Sequence, residues 1–113
     1  MLTMAAVLFA VAALGGITLA TLHFRQKGLP TALAVAHGLF AAAGLVVLIM
    51  AVVGGSTGNL LIASLVLFVV AALGGFALFS FHLRRLHLPT TVVLIHGLVA
   101  FVAFALLLLR IAK

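Results

Sequence analysis

Two stretches decide how this chain is read: His23-Phe24-Arg25-Gln26-Lys27-Gly28-Leu29-Pro30-Thr31 and His82-Leu83-Arg84-Arg85-Leu86-His87-Leu88-Pro89-Thr90. Each is a short basic connection that closes on Pro-Thr, and each is flanked by long apolar runs. Together they belong to one internal repeat. Residues 7–48 recur as residues 66–107 at a constant offset of 59, with 20 of the 42 aligned positions identical. The repeated unit is a pair of helices joined by a turn. Each copy carries a second histidine fourteen positions after the first, so His23 is followed by His37 and His82 by His96.

The runs cover residues 4–24, 30–53, 60–83 and 89–111. Each is close to the roughly 20 residues needed to cross a bilayer as a helix. Composition agrees, because 113 residues that are 68% apolar, with mean hydropathy +1.60 and 5% charged groups, leave a soluble domain no polar surface. The expected fold is all-α: a single four-helix transmembrane domain over residues 1–113, packed as a bundle of two tandem hairpins. The hairpins comprise residues 4–53 and 60–111. The first run lacks a basic leading region and is longer than a secretory signal core, and its twin inside the chain cannot be a signal, so both read as retained spans.

The connections predict the ends of the helices. Gly28 suits the left-handed residue after a helix, and Pro30 suits the first position of the next. The middle connection, residues 54–59, is uncharged and flexible, with Asn59 as N-cap. Thr31 and Thr90 are expected to cap the helices that follow them. Each hairpin enters and leaves on the same side, which makes a parallel repeat with its pseudo-twofold along the membrane normal. Arg25, Lys27, Arg84 and Arg85 lie on one side, and Arg110 and Lys113 on the other with both termini. That bias places the loops at 25–29 and 84–88 in the cytoplasm of a bacterial inner-membrane protein, with both termini opposite.

What is missing excludes whole classes of function. There is no Cys, so there are no disulfides, thiolate metal sites or thiol catalysis. With no Asp or Glu, carboxylate acid–base pairs and hard-ion cages are excluded. The net charge of +6 is spread over loops and one end, with no basic stripe interleaved with aromatics, so no nucleic-acid partner is expected. The Gly15-Gly16 and Gly74-Gly75 pairs sit inside apolar helices, not in a strand-to-helix phosphate loop. The partner read directly from composition is the lipid bilayer.

The histidines carry the chemistry. If each hairpin turns near its proline, His23, His37, His82 and His96 form one layer roughly 10 Å below the loops. If the turn centres earlier, His37 and His96 lie several ångströms deeper. Helical spacing puts small residues on the histidine faces: Ala20 and Gly16 behind His23, Gly75 behind His82, Ala41 and Gly44 ahead of His37, Ala100 and Ala103 ahead of His96. Such residues either bring helices close together or leave a slot for a flat cofactor. A lone membrane histidine usually makes a hydrogen bond between helices. Four duplicated ones in a core without carboxylates point to a bound cofactor or metal.

Haem is favoured over a bare ion. Helices 8–10 Å apart put diagonal partners about 13 Å apart, which suits two imidazoles on opposite faces of one iron porphyrin. Arg25 and Arg84 stand two residues beyond His23 and His82, where they can pair with haem propionates. A tetrahedral four-histidine zinc or copper site needs all four rings to converge, with second-shell acceptors that a chain without carboxylates lacks. The expected cofactor is haem b, one or two per chain. All four histidines are expected to be involved, and the close rival is one haem with His37 and His96 as ligands and His23 and His82 as hydrogen-bond or propionate partners. His87 reads as a solvated loop residue, and Phe9 and Phe68 as apolar packing.

Paired histidines on transmembrane helices, small residues on their faces and arginines at the rim resemble the b-type membrane cytochromes. The resemblance is one of pattern and covers the histidine-bearing halves of all four helices. It implies bis-histidine haem at His23, His37, His82 and His96, flanked by Gly16, Gly75, Gly44, Arg25 and Arg84. It also implies electron transfer with a quinone or a redox protein, and no enzymatic centre of its own. Larger members have more helices and place haems near both membrane faces, whereas here the candidates lie towards one. Two other readings stand beside it. One is a histidine-based proton or metal transporter, and the other an accessory subunit of a larger membrane complex. The length is similar to that of the small multidrug resistance family, but that family depends on a membrane glutamate and this chain has none.

Overall fold

A computed structural model describes all of residues 1–113. Four helices follow in order: α1 (Leu2–Phe24), α2 (Thr31–Val53), α3 (Asn59–Leu83) and α4 (Thr90–Ala112). Each differs from its expected span by no more than two residues at either end. At 1.5 Å per residue, 23 residues make a helix of about 34 Å, enough to cross the hydrocarbon core. The bundle is 42 Å long and about 20 Å across. Its helices are apolar all round. Many large apolar side chains are exposed on its outside, with Phe76, Phe101 and Leu14 each about 70% exposed. A surface of that kind fits lipid, and the protein is an integral membrane protein with four membrane-crossing helices.

Packing within each hairpin is close, between α1 and α2 and between α3 and α4. Across the hairpins, α1 meets α4 and α2 meets α3 more sparsely, which leaves α1/α3 and α2/α4 as the diagonals. The buried core is confined to the end that holds the termini. Ala5, Ala6, Phe9, Leu48, Leu61, Phe68, Ala103 and Leu107 form one cluster there. At its centre Phe9 and its repeat equivalent Phe68 stack with ring centroids 3.8 Å apart and planes within 3°. Ser64, fully buried at the position equivalent to Ala5, donates to the Ala103 carbonyl at 2.7 Å. Of the fourteen buried residues, only His23 lies on the loop side of the level set by Ala12 and Ala71.

The turns depart from expectation in their details. Helix α1 ends with Gln26, not Gly28, in the left-handed region (φ 55°), and α3 ends with Arg85 there (φ 58°). Lys27 N donates to Leu22 O and Gln26 N to His23 O, and Leu86 and Arg85 repeat the pattern. These bonds satisfy the last carbonyls in a Schellman motif and offset the roughly 1 kcal/mol cost of a left-handed non-glycine residue. At the end of α2, Gly55 fills the same position (φ 112°) without that cost. Pro30 and Pro89 are N-caps rather than first residues, and Gly58 precedes Asn59, which begins α3. No helix start has a side-chain cap, Thr31 and Thr90 included.

Candidate functional site

The histidines occupy two levels. Near the loops, His23 Nε2 shares a hydrogen bond with Thr90 Oγ1 at 3.1 Å, and His82 Nε2 shares one with Thr31 Oγ1 at 3.0 Å. The two bonds are related by the pseudo-twofold and tie α1 to α4 and α3 to α2. Thr31 and Thr90 therefore join the hairpins instead of capping helices. His37 and His96 follow those threonines by six residues, which sets them roughly 9 Å deeper. The single layer is replaced by the arrangement with a deep pair, because each turn centres before its proline.

The deep pair is held from within its own hairpin. His37 Nδ1 lies 2.7 Å from Ala12 O, and His96 Nδ1 lies 2.8 Å from Ala71 O. A carbonyl only accepts, so each Nδ1 carries the proton and donates it, and each Nε2 keeps its lone pair. This is the kind of second-sphere bond that selects the Nδ1–H tautomer and leaves Nε2 able to act as a metal ligand. The helices concerned, α2 and α4, are diagonal partners, and the two rings lie near-perpendicular, edge-type, with centroids 6.3 Å apart and planes at 87°.

The glycine pairs take the first of their two expected roles, bringing neighbouring helices close together. A Cβ on Gly16 would stand 2.9 Å from His37 Cε1, and one on Gly75 would stand 3.2 Å from His96 Cε1. Gly15 and Gly74 also back onto those rings. So Gly16 and Gly75 seat the imidazole of the neighbouring helix, and neither opens a slot beside His23 or His82. Gly44 lies outside the histidine region. A Cβ there would meet the Phe9 ring at 3.1 Å, so its role is in the terminal core.

A hollow of about 790 Å³ lies between the loops, lined by His23, His82 and His87 with Gln26, Lys27 and Arg85. Arg25 and Arg84, the cations singled out by spacing, do not line it. Arg84 instead lies over the Phe81 ring at 5.0 Å and donates to Ser80 O. The chain reverses at the left-handed residues Gln26 and Arg85, and both of these line the hollow themselves. His87 is exposed, yet its ring centre is 5.4 Å from that of His23.

No three histidines come together as metal ligands, so the four-histidine ion site does not form. The sequence does not point to the Ala12 and Ala71 carbonyls or to Lys27 and Arg85 as lining of the hollow. The pairing of Thr31 and Thr90 with His82 and His23 had one signal in the sequence, their identical register in both repeats. Comparison with protein-family models, with curated proteins and with solved structures finds no match.

Proposed function

We propose that this protein is a small membrane cytochrome that binds one haem b through His37 and His96. One observation carries the reading: two imidazoles on diagonal helices, each with its Nδ1 bonded to a carbonyl, have ring centres 6.3 Å apart in the half of the bundle outside the buried core cluster. His37 and His96 would hold the haem iron through the ring nitrogens left unbonded by the Ala12 and Ala71 carbonyls. The sparse contact between hairpins fits a group held between them. Ala12 and Ala71 hold the ligand tautomer, Gly16 and Gly75 hold the ring positions, and His23 and His82 act as partners, not ligands.

Haem b supplies reversible one-electron exchange. With two protein ligands on the metal, the chain's role is electron transfer with a quinone or a redox protein, not oxygen activation. The transport reading is less well supported. Past the histidine pair, the terminal half is filled by the Phe9–Phe68 stack and Leu48, Leu61 and Leu107, and its one buried polar side chain, Ser64, is already bonded. For orientation, four loop cations against two at the terminal end favour a cytoplasmic loop face in a bacterial inner membrane.

The test is a reduced-minus-oxidised absorption spectrum of the detergent-purified protein, with a haem-to-protein ratio. The expected result is sharp α and Soret bands at one haem per chain, abolished in His37→Ala and in His96→Ala and retained in His23→Ala and His82→Ala. A featureless spectrum from haem-supplied protein overturns the reading. Two haems per chain, with all four histidines required, would return it to the four-ligand arrangement.

A further inference from the structure

The hollow between the loops is lined by segments that differ between the two repeats. Arg25/Arg84, Leu29/Leu88 and Pro30/Pro89 are identical, whereas Gln26/Arg85, Lys27/Leu86 and Gly28/His87 all differ. All six of the differing residues line the hollow. Each loop contributes one cation, Lys27 from the first and Arg85 from the second. Three imidazoles and the Gln26 amide complete the polar wall. Gln26 and Arg85 are held in left-handed backbone, a conformation that glycine would adopt without cost, and both still carry long polar side chains. The chain contains no carboxylate side chain, so nothing on it neutralises cations gathered at one concave site. Focused positive potential over a low-dielectric bundle favours an anion from outside.

We infer that this hollow binds a phosphate group, held by charge-assisted hydrogen bonds from Lys27 and Arg85 and supported by Gln26 and the histidine ring nitrogens. The guanidinium fork and the ammonium suit a tetrahedral oxyanion with several acceptor oxygens. The hairpin ends lie at headgroup depth, so the phosphate has two sources of the same chemistry, free inorganic phosphate or an anionic lipid headgroup. The His23–Thr90 and His82–Thr31 bonds hold two walls of the hollow in place. The site does not depend on the haem reading, and its test is run on the full chain without supplied haem.

Binding is measured by phosphorus NMR titration of inorganic phosphate in neutral detergent, and by immobilisation of spin-labelled phosphatidylglycerol in phosphatidylcholine vesicles. The K27Q/R85Q double variant is compared with R25Q/R84Q, which loses the same charge outside the hollow. The proposal expects saturable binding, weakened roughly tenfold or more in K27Q/R85Q and little changed in R25Q/R84Q. Free phosphate obeying that pattern identifies a soluble source, and only the lipid obeying it identifies a headgroup. Equal weakening in both variants reflects general electrostatics and overturns the proposal, as does binding of neither probe. The native chain gives a check that needs no variant, since its only lysines are Lys27 and Lys113. Whichever probe binds should slow acetylation at Lys27 relative to Lys113, and equal slowing at both overturns the site.

Discussion

The two halves of this bundle are built from the same two hairpins and do opposite things. Towards the termini, side chains interlock: Phe9 on Phe68, Leu48, Leu61 and Leu107 fully buried, Gly44 against the Phe9 ring. Towards the loops, helices face each other through imidazoles, hydroxyls and a hollow. In a bilayer, lipid tails are as apolar as leucine, so helix association rests on close packing and a few polar bonds. Concentrating the packing in one half frees the other from the requirement to close. Stability and the candidate site are thereby separated along the membrane normal, and that separation can be tested directly.

The largest effect is expected from Phe68→Ala. Removing one ring of the stack should cost about 3 kcal/mol or more in reversible denaturation, while any haem spectrum of the folded fraction stays the same. A spectral change as large as the stability loss would mean that the halves are coupled. The glycines sharpen the contrast. Gly44→Ala presses on Phe9 and should lower stability by about 1–3 kcal/mol without moving the absorption bands. Gly16→Ala presses on His37 at 2.9 Å, so it should shift the bands or weaken haem binding, and do so more than Gly75→Ala, where the contact is 3.2 Å. Identical spectra for all three variants would remove the seating role.

The hairpin ties come next in size. Thr31→Val and Thr90→Val each delete one bond to a histidine and should cost about 0.6 kcal/mol apiece, the usual scale for such bonds in membranes. Unfolding measured on the single and double variants would show whether the two ties act independently. The smallest effect belongs to Gly38→Ala and Gly97→Ala. No atom outside its own helix lies within 4 Å of a Cβ at either site, so changes of a few tenths of a kcal/mol are expected. A large loss there would reveal a contact with another chain.

Much of the architecture was legible before any coordinates. Four spans, their turns and the two-hairpin bundle follow from hydropathy and the offset of 59, because crossing a bilayer demands length and apolarity and little else. The histidines stood out because imidazole is costly among aliphatic side chains, and duplication made chance a poor explanation. The parts that were misplaced share one cause. Gly16, Gly75 and Gly44 lie on the faces that helical spacing gave them, but spacing on one helix does not say which neighbour fills the space in front. Arg25 and Arg84 were at a sensible distance from His23 and His82, yet the hollow is lined by Lys27 and Arg85 in their place.

Composition and periodicity are therefore sufficient for the membrane setting, the helix count, the repeat and the choice of candidate side chains, since each of these depends on local chemistry summed along the chain. The depth of each histidine, the carbonyl that sets its tautomer, the threonine that ties it and the cations that line the hollow depend on contacts between residues 25 to 67 positions apart. The carbonyl bonds form when the two helices of one hairpin pack, and the threonine ties only once one hairpin has docked on the other; neither can be read in advance, because backbone carbonyls and turn geometry have no residue-type signature.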